Sequence, residues 1–253
     1  MLSNTKIKFI KSLEHKKYRK QHACYVVEGE KMVLELLQSK HPLLELYITD
    51  AFMQKYHALI PAQPVYEKVD EKTLKKASHL QTATQALALV AIQDAPLSFP
   101  KANELVLALD HIQDPGNLGT IIRSALWFGV KTIYCSNNTV DVYNPKVVQA
   151  TMGALFRVNV VYTDLDSLIE DAKKQHLPLI GTRLDGTNLY QEKLPKGGIL
   201  LMGNESKGLS ENLYQHLDYS LLIPSFPAEN RQMESLNVSV ATALVLAEFR
   251  RRS

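Results

Sequence analysis

The stretch from Leu105 to Gly129 restricts the fold of this chain more than any other. It opens on five apolar residues, Leu105-Val106-Leu107-Ala108-Leu109, the length of a strand buried on both faces. Asp114-Pro115-Gly116-Asn117 then supplies turn and helix-start chemistry, and Leu118, Ile121, Ile122, Ala125 and Leu126 follow at helical spacing. The polar residues of this unit (Asp110, His111, Asn117, Arg123) are thereby placed at the carboxyl end of a strand and the entrance of a helix. Open α/β sheets hold their ligands at such strand ends. With Asn117 at the helix entrance, Asn117 and Arg123 are expected to face one crevice.

A chain of 253 residues accommodates this unit and a second, smaller one. With 45% hydrophobic and 22% charged residues it has the composition of an ordinary globular protein, and no apolar run approaches a membrane span or a secretion signal. The net charge of +3 conceals a local excess. Lys6, Lys8, Lys11, Lys16, Lys17, Arg19 and Lys20 face a single acid, Glu14, within the first twenty residues. Phe9, Tyr18 and Tyr25 interleave with them, and cations interleaved with aromatics suit a nucleic-acid surface. Cys24 and Cys135 stand far apart in no metal-binding spacing. No disulfide and a reducing, cytoplasmic location are expected.

Ser3 to Lys20 reads as a basic helix followed by a polar turn. Strands then alternate with helices: Cys24–Val27, a helix over Lys31–Leu37, a strand over Leu44–Thr49, a helix around Met53–His57, a strand near Pro64–Val69, a helix over Asp70–Ala77 and a closing strand, Leu87–Ile92. Residues 1–94 form a small α/β domain on this reading, and 95–101, with Pro96 and Pro100, form a linker. From 102 to 253 the pattern is that of a parallel sheet. Strands are expected at 105–109, 132–135, 158–162, 179–182, 199–202 and 219–223, and helices at 118–127, 145–152, 165–175, 210–216 and 236–251. The last helix is apolar nearly all round and is expected to be largely buried.

Three polar, glycine-bearing loops follow three of these strands. The first is Asp114–Gly119 with Arg123, the second Met202-Gly203-Asn204-Glu205-Ser206-Lys207-Gly208-Leu209. The third runs from Ile223-Pro224 to Ser235-Leu236-Asn237-Val238. None carries GxGxxG or GxxxxGK[ST], which counts against a dinucleotide enzyme or a phosphate-loop ATPase; HExxH, GxSxG and cysteine–histidine metal clusters are absent too. Taken singly, Gly203 and Gly208 suit ordinary turns and Ser235 an ordinary helix cap.

Together, in this order and at these strand ends, the loops resemble the three signature motifs of the SpoU (TrmH) family of RNA 2′-O-ribose methyltransferases, within the SPOUT superfamily. Ser12-Leu13, Lys16-Lys17-Tyr18-Arg19 and Val27-Glu28-Gly29 resemble the family's substrate-binding domain. The resemblance implies a Rossmann-like parallel sheet with a deep C-terminal trefoil knot, preceded by a small ribosomal-protein-like α/β domain. It implies methyl transfer from S-adenosyl-L-methionine to a ribose 2′-hydroxyl in structured RNA, ribosomal more than transfer RNA, by a homodimer without a metal. It assigns Asn117, Arg123, Glu205, Ser235 and Asn237 to catalysis. Thr182, Leu184, Gly203, Ile223, Ser235 and Leu236 are assigned to the cofactor, and Lys16, Lys17, Arg19, Lys20 and Arg123 to RNA.

The sequence departs from the family between Ile223-Pro224 and Ser235. Ser225 to Glu234 is longer than the family's spacing and lacks its glycine, so this loop is expected to wrap the cofactor differently or to cover it with Phe226 or Arg231. The competing reading is a non-catalytic RNA-binding or ribosome-assembly factor on the same fold. The full set Asn117, Arg123, Glu205, Ser235 and Asn237 argues against it, because a pure binder needs no such set.

Overall fold

The structure, a computed structural model, describes residues 2–60, 66–82, 84–93, 97–101, 103–226 and 235–252. The chain divides into two units. The first comprises residues 1–94 together with 141–157, and the second comprises 95–140 and 158–253.

In the first unit the basic N-terminus forms two helices instead of one, α1 (Asn4–Ser12) and α2 (Lys16–His22). Ser3 caps α1 by accepting from the Lys6 amide, and the chain turns at Leu13 to begin again at Lys16. There follow β1 (Cys24–Glu28), α3 (Glu30–Leu37), β2 (Leu43–Ile48), α4 (Asp50–Tyr56), β3 (Tyr66–Lys68), α5 (Glu71–Ala77) and β4 (Ala86–Ala91). The sheet order is β1-β4-β2-β3, so the last strand lies inside the sheet, antiparallel to both neighbours. Ile10, Leu13, Val26, Tyr47, Leu74, Leu87 and Leu89 share its core. Part of the expected linker, residues 95 and 96, lies outside the described residues.

In the second unit β5 (Leu105–Leu109) leads into α6 (Pro115–Trp127) and β6 (Thr132–Cys135). The chain then enters the first unit as α7 (Pro145–Ala150) and returns as β7 (Asn159–Tyr162). Here α7 packs with β1: the Gln149 amide donates to the Glu28 carbonyl at 2.7 Å, and Arg157 pairs with Glu35 at 2.7 Å. The second unit continues with α8 (Leu165–Lys174), β8 (Leu179–Asn188), β9 (Gly198–Met202), α9 (Glu211–Tyr214), β10 (Tyr219–Leu222) and α10 (Val238–Arg251).

The six strands are all parallel, in the order β10-β8-β9-β5-β6-β7. Every residue of β5 and β9 is buried, as a sheet covered on both faces requires. Val106, Ala108, Tyr134, Leu168, Ile169, Ile199, Leu201 and Leu213 form one core cluster of this unit. Strands β5 and β9 are neighbours where the winding reverses, so the loops after them open at a topological switch point.

Two expectations change. Strand β8 is longer than expected because its tip returns to β10: Ser220 pairs with Gly181 but Leu221 pairs with Thr187, so residues 182–186 bulge out between them. Helix α10 is not buried all round. Its Thr242, Val245, Leu246 and Phe249 are buried, whereas Val240 and Leu244 remain exposed, since α6 packs against only one side of the helix.

Candidate active site

The site is built outward from helix caps. Asp114 caps α6 by accepting from the Asn117 amide at 2.8 Å, with Pro115 in the first turn, where its missing N–H costs nothing. Asn237 caps α10, its side-chain oxygen taking the Ser239 amide at 2.9 Å and the Ser239 hydroxyl at 2.6 Å. With that oxygen committed, the Asn237 amide nitrogen turns outward and donates to Asn117 Oδ1 at 2.9 Å. Asn117 has then used its acceptor, and its Nδ2 donates to Glu205 Oε1. Each amide has one orientation that satisfies both neighbours, so the chain Asn237→Asn117→Glu205 is directed and ends on a carboxylate acceptor.

Glu205 is carried by a tight loop after β9. Asn204 and Gly208 exchange backbone hydrogen bonds of 2.9 and 2.8 Å across it. Inside, Asn204 Oδ1 accepts from the amides of Ser206 at 2.9 Å and Lys207 at 3.2 Å. A β-carbon on Gly203 would overlap the main chain of Gly208 and Leu209, so this approach demands glycine. Both ends of the loop are tied to the end of β5. Asn204 Nδ2 donates to the His111 carbonyl at 3.0 Å, and Ser210 donates to Asp110 Oδ2 from its amide at 2.8 Å and its hydroxyl at 2.6 Å. Sequence reasoning placed Asp110 and His111 at the strand end but missed Ser210, because nothing local marks a partner a hundred residues away.

The remaining residues take different positions. Thr182 and Leu184 lie in the bulge of β8, between the exits of β9 and β10, where Gly203 and Ile223 begin their loops. Leu184 and Leu236 are exposed apolar side chains. Beside them Arg183 pairs with Asp185 at 2.9 Å and stacks over the Tyr214 ring at 4.7 Å. Ser235 is exposed and makes no described hydrogen bond. Phe226 is fully exposed, while Arg231 and the rest of the lengthened loop, 227–234, lie outside the described residues.

Arg123 does not share a face with Asn117. Because α6 already begins at Pro115, six residues of helix separate the two by about 9 Å along the axis and about 120° around it. Arg123 is exposed and, among the described residues, has no hydrogen-bond or ion-pair partner. One turn further on, Trp127 is 84% exposed.

In the first unit Lys16, Lys17 and Lys20 are exposed, as a phosphate-binding role requires. Arg19 is not. It is 2% exposed, its Nε donates to Asp141 at 3.0 Å, and its NH1 donates to the carbonyls of Leu13 and Glu14 at 2.8 and 2.7 Å. Its expected RNA contact is therefore replaced by an internal one. Among the described residues no cluster of three metal-ligating side chains occurs, and no helix is long and apolar enough to cross a membrane. Cys24 and Cys135 are free and buried.

Residues 104–247 match the SpoU rRNA methylase family, and residues 4–88 match an MRM3-like substrate binding domain. The 23S rRNA (guanosine(2553)-2'-O)-methyltransferase RlmP of Bacillus subtilis is 30% identical over 249 residues, covering 98% of this chain and 96% of that protein. Among solved structures, a TrmH-family RNA methyltransferase from Porphyromonas gingivalis superposes with a TM-score of 0.89 at 36% identity, covering all of both chains. The AdoMet-bound rRNA methyltransferase from Sinorhizobium meliloti gives a TM-score of 0.87 at 28% identity, covering all of this chain and 96% of that one. These matches coincide with the switch-point site and the basic N-terminal unit, and the chain belongs to the SpoU rRNA methylase family.

Proposed function

We propose that this chain transfers the methyl group of S-adenosyl-L-methionine to a ribose 2′-hydroxyl of ribosomal RNA. The observation that carries the reading is the directed hydrogen-bond chain from Asn237 through Asn117 to Glu205, which joins all three loops at the sheet's switch point. The named 23S rRNA 2'-O-methyltransferases among its relatives and the AdoMet-bound neighbour support the same chemistry.

The cofactor, when bound, supplies an electrophilic methyl on a sulfonium sulfur. The residues present fit it: three adjacent strands, β10, β8 and β9, end beside one another, and their exits offer backbone from Thr182, Gly203 and Ile223 and apolar cover from Leu184 and Leu236. The main chain of Gly208 and Leu209 packs directly against Gly203, which fixes the shape of the β9 exit. Ser235, at the entrance to α10, completes the set.

The RNA hydroxyl needs a group for its developing negative charge. A guanidinium has donors and no lone pair, so Arg123 acts as a clamp on phosphate and alkoxide, with the proton leaving through phosphate or water. Its free donors and its separation from Asn117 support service to the active site of a second copy. Exposed Trp127 on α6, with Val240 and Leu244 on the neighbouring α10, supplies apolar surface for such a homodimer. In this reading residues 1–94 bind RNA through Lys16, Lys17 and Lys20, residues 102–253 carry the chemistry with the family's trefoil knot, and the protein works in the cytoplasm.

Calorimetric titration with S-adenosyl-L-methionine, followed by mapping of 2′-O-methyl positions in ribosomal RNA with and without the protein, tests the proposal. Binding and loss of one methyl position on deletion support it. RNA binding without cofactor binding leaves the assembly-factor reading in its place. Arg123→Ala and Arg123→Lys are both expected to lose methylation at saturating cofactor; near-wild-type rates in both remove Arg123 from the mechanism.

A further inference from the structure

Asp110 is 3% exposed, and its only charge partner among the described residues is the neighbouring His111 ring. A buried carboxylate is costly, and an apolar residue would fill the end of β5 without that cost. What the carboxylate does there is hold three donors: the Ser210 amide, the Ser210 hydroxyl and His111 Nδ1, the last at 2.6 Å. His111 itself sits at φ 56°, in the left-handed region. Four contacts keep it there. Its amide donates to Ser136 Oγ at 2.9 Å, its carbonyl accepts from Asn204, Nδ1 meets Asp110, and Nε2 meets Asn138 Nδ2 at 2.9 Å.

The partners fix the ring's proton. An amide nitrogen facing Nε2 makes that atom an acceptor, so the proton resides on Nδ1 and is donated to Asp110. The sequence Asn138→His111→Asp110 is thus directed, as Asn237→Asn117→Glu205 is. The two converge on one loop: Asp110 and the His111 carbonyl grip it at Ser210 and Asn204, and Asn117 meets it at Glu205.

We infer that Asp110 and His111 are positioning residues for the methyl-transfer site, a clamp that sets the Glu205 loop against α6 and is locked by the Nδ1–H form of His111. This inference rests on the methyltransferase reading. Neither residue touches substrate; they act through Glu205 and Asn117. Asp110→Asn preserves shape, yet its Nδ2 would face His111 Nδ1. That change drives the ring proton to Nε2, obliges the Asn138 amide to turn over, and replaces charge-assisted bonds from Ser210 with weaker neutral ones.

The test reads the ring and the rate separately. Long-range proton–nitrogen spectra of the eight histidines, with His111 assigned by its absence in His111→Gln, are expected to show the Nδ1–H form in the wild type and the Nε2–H form in Asp110→Asn. In single-turnover methylation of ribosomal RNA at saturating cofactor, Asp110→Asn is expected to slow the rate about ten- to a hundredfold, the penalty of slight misplacement. RNA affinity should hold, because the lysines of α2 are untouched. A wild-type ring protonated on Nε2, or an Asp110→Asn enzyme with the wild-type rate, overturns the clamp. So does a rate loss that disappears when corrected for the folded fraction. The wild-type ring spectrum, once assigned through His111→Gln, needs no turnover. A wild-type chain that methylates no RNA therefore refutes the methyltransferase reading, while the ring form is still decided.

Discussion

The sharpest stability prediction concerns Arg19. Arg19→Met keeps the volume of the side-chain stem but removes the charge and four hydrogen bonds, two to Asp141 and one each to the Leu13 and Glu14 carbonyls. Asp141, only 15% exposed, is left as a carboxylate without its cation. Removing one member of a buried pair costs about 3–5 kcal/mol, because the survivor stays desolvated. With a urea slope of about 3 kcal/mol/M, the unfolding midpoint followed by circular dichroism falls by roughly 1–1.7 M. The effect should persist in about 1 M salt, since solvent ions screen buried pairs little. The double variant Arg19→Met/Asp141→Leu, with no stranded charge, should recover much of the loss. It should also bind RNA as the wild type does. A single variant that costs under about 1 kcal/mol, or a double variant no more stable than the single, refutes the buried-pair argument. Lost RNA binding in the double variant returns Arg19 to the RNA surface.

Three further outcomes follow from other parts of the molecule. Replacing Lys16, Lys17 or Lys20 by Ala should each flatten the log–log salt dependence of RNA binding by about 0.7, and an unchanged slope removes that lysine from the contact. Burial alone would lower the His79 pKa, but the hydrogen bond and charge of Glu28, with the Lys11 carbonyl at the other ring nitrogen, hold it above 6.5. A folded-state value above the unfolded one means that the stabilisation is complete below pH 6.5 and is lost as the pH rises through the folded value. The melting temperature should therefore fall from about pH 6 to pH 9, and His79→Gln should remove that slope; a variant with the same slope contradicts the assignment. Gly203→Ala puts a β-carbon into the Gly208–Leu209 main chain and should abolish calorimetric binding of S-adenosyl-L-methionine, so retained wild-type affinity counts against the loop's role.

Much of this was legible in the sequence, for physical reasons that differ from residue to residue. The strand–turn–helix at 105–127 announced itself because a five-residue apolar run, an Asp-Pro cap and a helical apolar face are all local signals. The three loops were legible as glycine-bearing strand exits. What joins them was not: Asn117 meets residues 88 and 120 positions away, and no local pattern records such distances. Arg19 misled because a Lys-Lys-Tyr-Arg-Lys run looks evenly solvated. Helical geometry turns its fourth member inward, and its partner lies 122 residues downstream. The mostly polar stretch 183–188, with a glycine inside it, concealed the end of β8, which is strand only because β10 pairs with Thr187 and Asn188. Helix α10 looked buried from composition, yet Val240 and Leu244 face outward on a side that this single chain leaves uncovered.

The passage of residues 141–157 through the first unit has a consequence for the order in which the chain is made. A ribosome releases β1 to β4 first, then β5, α6 and β6, and only then α7. Until then the Arg19 guanidinium lacks Asp141, and the Glu28 carbonyl lacks Gln149. The N-terminal unit, although its first ninety-four residues are contiguous, therefore completes its packing only after part of the following unit has emerged. Scission at the linker separates no finished pieces: it leaves α7, with its buried Val147 and Val148, covalently on the fragment that lacks the sheet it packs with. Birth order thus leaves the first unit unfinished until residues 141–157 have been made.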